Sequence, residues 1–177
     1  MPVHNPTLSF LRLLRYGAAL CLLAAALPVS ANCRITHDTD AVRVEEVFSI
    51  NRSRYEFQNY DEVCEKLEKA NAKVIIFGDY AVPYRESIGW AQVVVADKDN
   101  EALVMHRYGS ISVYANTDAS SRKAREMLWL AINQALERWP KNDRLNEALA
   151  ELKEARVALD ARIAAEARRA ARKLAAE

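Results

Sequence analysis

Glycine and histidine are both scarce in this chain. Its 177 residues hold four glycines and three histidines. So few glycines leave no room for a phosphate-cradling loop, and neither G-x-G-x-x-G nor a Walker loop occurs. H-E-x-x-H and the G-x-S-x-G nucleophile elbow are missing too. These absences remove the motif-borne routes to nucleotide binding, zinc proteolysis and serine hydrolysis, and no cofactor is indicated. An excess of charge of one sign is also lacking, with 25 basic against 24 acidic side chains. That balance gives no general attraction to nucleic acid or to an anionic membrane. The acidic stretch "DKDNE" at 97–101 lacks the central glycine and closing glutamate of a calcium loop and reads as a hairpin turn.

What is present begins with a leader. No acid precedes Asp38, Arg12 and Arg15 supply positive charge, and Gly17 to Leu27 form a short apolar core. Pro28 ends that core, and Val29-Ser30-Ala31 places small residues at a cleavage site. Residues 1–31 are therefore expected to be a signal peptide cut after Ala31, giving a periplasmic or secreted product. In the alternative, Cys33 is a lipoprotein cysteine. Against it stands Asn32, where a small residue is required. Removing 31 of the 177 residues leaves 146, with 23 basic and 24 acidic side chains. That is the size of one domain.

Two of the three cysteines, Cys33 and Cys64, survive such a cut. In an oxidising compartment they are expected to pair. A bridge closing a loop of about 30 residues contributes roughly 3–4 kcal/mol in the chain-entropy picture. The rival is a metal site built on Cys33, His37, Asp38, Asp40 and Cys64; its C-x3-H spacing is a weak signal, and no metal is assigned.

The pattern of apolar residues predicts an α+β fold. Val42, Val44, Phe48 and Ile50 alternate with Arg43, Glu45, Val47 and Ser49, which suggests a strand, with Glu46 as a blemish. Asn59 and Glu62 suggest a capped helix whose inner face carries Tyr60, Val63, Cys64 and Leu67. Lys73 to Phe77 reads as a central strand. Residues 79–89 read as a long loop, Trp90–Ala96 and Ala102–His106 as strands, and Tyr108-Gly109 as a turn before Ile111–Tyr114. A continuous strand kinked at Gly109 is the competing reading. A helix capped at Thr117-Asp118 follows, with a wide stripe from Ala124 to Trp139 that belongs against a sheet, and Pro140 ends it. The order β-α-β-β-β-β-α over 32–139 makes a two-layer α+β sandwich of a mostly antiparallel sheet.

Residues 140–177 differ in kind. From Asp143 onward there is no glycine, proline or aromatic residue. Leu145, Leu149, Leu152, Leu159 and Ile163 recur at heptad-like spacing, interrupted by Arg156. One long helix, self-associating through residues 143–174 as a coiled coil, is expected.

Chemistry is harder to place. Arg54, Tyr80, Tyr84, Arg85 and Trp90 belong to the residue types enriched at protein interfaces, and four of them cluster in and beside the 79–89 loop. The resulting expectation is an exported protein-interaction module of inhibitor, immunity or envelope-adaptor type, binding a protein partner in the cell envelope and no nucleic acid. The alternatives are a small hydrolase-like enzyme using His106 with Asp79 or Glu86, and a structural spacer acting through its coiled-coil tail.

Overall fold

The structure, a computed structural model, describes residues 33–39 and 41–175. The expected leader, its cleavage site and Asp40 lie outside the described residues. Eight elements follow one another: β1 His37–Asp38, α1 Val42–Ile50, α2 Tyr60–Lys69, β2 Ala72–Ala81, β3 Ser87–Asp97, β4 Val104–Asn116, α3 Ser121–Lys141 and α4 Arg144–Leu174. The sheet order is β1-β2-β3-β4, with β1 parallel to β2 and the other pairs antiparallel. This is the α+β sandwich expected, with a long C-terminal helix.

The alternation along each strand separates two faces. On β2, Val74 and Ile76 are fully buried and Gly78 faces Val44 and Leu128. Their register partners Ala91 and Val93 on β3 are also buried, as are Ser110 and Ser112 on β4. This face carries the helices. The wide stripe of α3 lies against it, with Leu128, Ala131, Ile132, Ala135, Leu136 and Trp139 fully buried. Gly89 sets the approach: a Cβ there would stand 2.1 Å from the Leu128 nitrogen, so only glycine lets α3 come this close. Ser87 ties the start of α3 to the sheet. Its hydroxyl donates to the Asp118 carbonyl at 2.6 Å and accepts from the Ser120 N–H at 3.1 Å.

Several elements depart from the sequence expectation. Residues 42–50 form a helix, not a strand: Val44, Val47 and Phe48, at i, i+3 and i+4, are the buried set. Glu46 is then no blemish, because a helix turns it out of the core. The strand before it is instead the two-residue β1, whose His37 and Asp38, considered above only as metal ligands, pair with Val74 and Ile75. β2 runs on to Ala81, so the long loop shrinks to residues 82–86. The two short strands around Tyr108-Gly109 are one strand, as in the competing reading, with a bulge where the register shifts between Val93 and Val95. No glycine among the described residues has positive φ. Asn59 makes no side-chain cap, Ser120 rather than Thr117 or Asp118 caps α3, and Pro140 lies inside its last turn.

Cys33 and Cys64 form a disulfide with Cα atoms 5.9 Å apart. Among the described residues no group of three metal-ligating side chains occurs. The Tyr60 hydroxyl sits beside the bridge, accepting from the Ile35 N–H and donating to the Cys33 carbonyl, each at 3.2 Å. The polar N-terminal segment is thus pinned to α2, and that places β1.

The C-terminal helix is divided in its surroundings. Leu145, Ala148 and Leu152 are fully buried in the same core as the sheet, so the first half of the leucine seam packs on the domain rather than on a partner helix. Arg156, out of place in a seam, clamps this half down. Its guanidinium bonds to Asp97 and donates to the carbonyls of Ala70 and Asn71 at 2.8 Å. Burial pushes the Asp97 carboxyl up, but Arg156 and the N–H groups of Asp99 and Asn100 outweigh it and hold it below its usual range. From Ala161 to Ala175 every residue is exposed.

Candidate interaction surface

Among the described residues, no helix layer packs on the second face of the sheet. Two cross-strand rows cross it: Phe77, Gln92 and Ile111, then Asp79, Trp90 and Val113. Strand alternation places these residues opposite the buried set. Trp90 is 41 % exposed, Ile111 58 % and Val113 62 %. His106 extends the patch, its ring centroid 5.9 Å from that of Phe77. Exposed apolar side chains grouped on one sheet face are a common feature of interaction surfaces. At its β1 end lies a shallow cleft of about 350 Å³ lined by Asp38, Thr39, Lys73, Ile75, Phe77 and Glu101. Lys73, itself buried, donates to Asp38 at 2.5 Å, and this bond raises its pKa.

The edges of the sheet differ. Past Ile75 the outer side of β2 has no strand partner among the described residues, and Arg43 wraps it. The Arg43 guanidinium bonds to the Tyr80 carbonyl, pairs with Asp79 at 2.7 Å and lies over the Tyr80 ring. Tyr80 in turn donates to Glu46 at 2.7 Å, and Arg125 pairs with the other oxygen of Glu46 at 2.8 Å. These bonds hold the Glu46 carboxyl below its usual range and push the Tyr80 phenol up. On the far side, β4 pairs only with β3 among the described residues. The Tyr108 and Gly109 carbonyls accept from Trp139 and Arg144. No such bond reaches the stretch from Ser110 to Asn116.

The five residues singled out from the sequence do not converge. Trp90 stands on the open face. Tyr84, 86 % exposed, and Arg85 lie at the tip of the β2–β3 turn, with the guanidinium over the Tyr84 ring at 5.1 Å. Tyr80 belongs to the covered face and is engaged by Glu46. Arg54 is exposed in the α1–α2 connection, which packs on α3 through Tyr55 against Trp129 and the Glu56 N–H on Asn133. Nor are His106, Asp79 and Glu86 assembled: no hydrogen bond or ion pair joins them, and Asp79 is taken by Arg43. Sequence reasoning missed Phe77, Ile111 and Val113. Their signal was the alternation Ile111-Ser112-Val113, which needs the whole sheet to say which phase faces the helices.

No protein-family model matches the chain, and neither a curated protein nor a solved structure matches it.

Proposed function

We propose that this chain is an exported protein-interaction module, periplasmic or secreted after cleavage following Ala31, of inhibitor, immunity or envelope-adaptor type. The open sheet face is its recognition surface, and its partner is an envelope protein that presents an apolar patch of its own. The observation that carries this reading is the exposure of Trp90, Ile111 and Val113 together on a face without a helix layer. The disulfide fits an oxidising compartment. The test is a photo-cross-linking side chain placed at Val113 in the full chain within its native envelope, with the same group at Arg162 as control. One defined adduct at 113 with a protein other than this chain, lost on Trp90→Ala while the melting temperature holds, supports the reading. No adduct at 113, or identical adducts at both positions, refutes it.

A further inference from the structure

We infer that the free edge of β4 pairs with the same edge of a second copy, antiparallel about Ser112, joining two four-stranded sheets into one of eight. The inference rests on the strand edge and does not require the proposed envelope partner.

Three observations meet at this edge. First, Ser110–Asn116 is a ladder end left open. In an antiparallel pair, alternate residues turn their N–H and C=O groups away from the partner strand. On β4 those groups point outward, and no backbone hydrogen bond beyond the β3 ladder satisfies them among the described residues. Second, the edge lacks the usual defences. Folded proteins blunt free edges with lysine, proline, bulges or covering elements. The bulge and the Trp139 and Arg144 contacts protect the strand only as far as Gly109. From Tyr108 to Thr117 the sequence YGSISVYANT has neither charge nor proline.

Third, the charge pattern selects a second copy in one orientation. Pairing about Ser112 sets Ile111 against Val113 of the other copy, two β-branched contacts on the open face. It sets Ser110 against Tyr114 on the helix side. The charged residues that bound the stretch are Arg107 and Asp118, opposite in sign and both exposed. Antiparallel pairing brings Arg107 of one copy towards Asp118 of the other at both ends of the seam. Parallel pairing would bring like charges together. Cross-strand pairs of these kinds stabilise a sheet, and the two-fold axis repeats every one of them. The open apolar faces of the two copies then become continuous.

The test is sedimentation of the full chain over a wide concentration range, with charge variants at the seam. Ile111 and Val113 are exposed, so lysines there leave the monomer fold in place, checked by circular dichroism and melting. Wild type is expected to dimerise. The double variant I111K/V113K sets lysine against lysine twice and is expected to weaken the dimer about tenfold or more, equivalent to ~1.4 kcal/mol or more. An equimolar mixture of I111K/V113K with I111E/V113E is expected to recover a heterodimer, because each lysine then meets a glutamate. A chain that stays monomeric at every concentration overturns the inference. So does a dimer indifferent to both variants, or one lost on deleting residues 160–177, since those place the contact on the tail. An adduct of Val113 with a different envelope protein would survive any of these three failures.

Discussion

At its β2 edge the sheet is closed by a parallel strand of two residues, an arginine on a carbonyl and a disulfide that anchors the incoming chain. At its β4 edge, seven residues from Ser110 to Asn116 end the ladder with no further strand among the described residues. The difference lies in the side chains each edge carries. Around β2 stand Arg43, Asp79, Lys73 and Asp38, all engaged in ion pairs. Charges at an edge resist pairing with another strand, whereas an uncharged edge of alternating serine and β-branched residues invites it.

The largest expected effect tests the guarded side. Replacing both cysteines, C33S/C64S, should cost about 3–4 kcal/mol in urea unfolding, the entropy of a loop of some 30 residues. It should also speed hydrogen exchange along β1 and the outer side of β2, making that edge resemble β4. A loss below about 1 kcal/mol would mean the segment is held by Tyr60 and β1 alone.

Next comes Arg156→Ala. It strands a nearly buried Asp97 carboxylate and two carbonyls, and breaking such a pair costs about 3 kcal/mol. Because the Asp97 carboxyl is held low, the pair's contribution is present above the unfolded carboxylate range and is lost as pH falls through the folded value. Wild type should therefore show a steeper acid limb than R156A in pH-dependent denaturation.

Arg43→Ala should be milder. The pair with Asp79 is half exposed on both sides, and such pairs contribute about 0.5–1 kcal/mol. Its sharper consequence is an unguarded β2 edge, detectable as new self-association by light scattering. Unchanged association would assign the protection of that edge to β1 instead.

His37 provides a pH test of the same edge. Burial against Phe48, with ring centroids 4.1 Å apart, lowers its pKa below 6.5. The unfolded chain then binds more protons between the folded value and 6.5, so stability falls as pH drops through that window. His37→Phe keeps the stacking and should remove this slope, measured as melting temperature against pH. A slope that persists would place the titration elsewhere.

The smallest effect is expected at the open edge. I111K/V113K should change monomer stability by about 0.5 kcal/mol, as solvent-facing substitutions do. A loss of several kcal/mol would show that β4's outer face already belongs to the core.

Several elements were legible in the sequence because their signals are local. The stripe from Ala124 to Trp139 is too wide for anything but a sheet, and the apolar, β-branched run from Lys73 to Phe77 named a central strand. The disulfide followed from two cysteines and an inward face on α2. Residues 42–50 were misread because Val42, Val44, Val47, Phe48 and Ile50 satisfy a period of two almost as well as a helical face. Over nine residues, only packing against β2 and α3 separates the two readings. The candidate site was less legible. Trp90 was recognised by type, while Phe77, Ile111 and Val113 resembled ordinary strand residues until the sheet showed that no helix among the described residues covers them.

By itself, then, the sequence determined which segments are amphipathic, that two cysteines can meet, and that no familiar catalytic motif is carried. Those properties depend on neighbours within a few turns of chain. Tertiary structure decided what lies far apart in sequence. It set which phase of each strand meets α3, through the missing Cβ of Gly89. It matched Arg156 to an acid 59 residues away. It left β4 at the edge, because a strand's outer hydrogen bonds are filled or free according to sheet order, and no local pattern encodes which strand comes last.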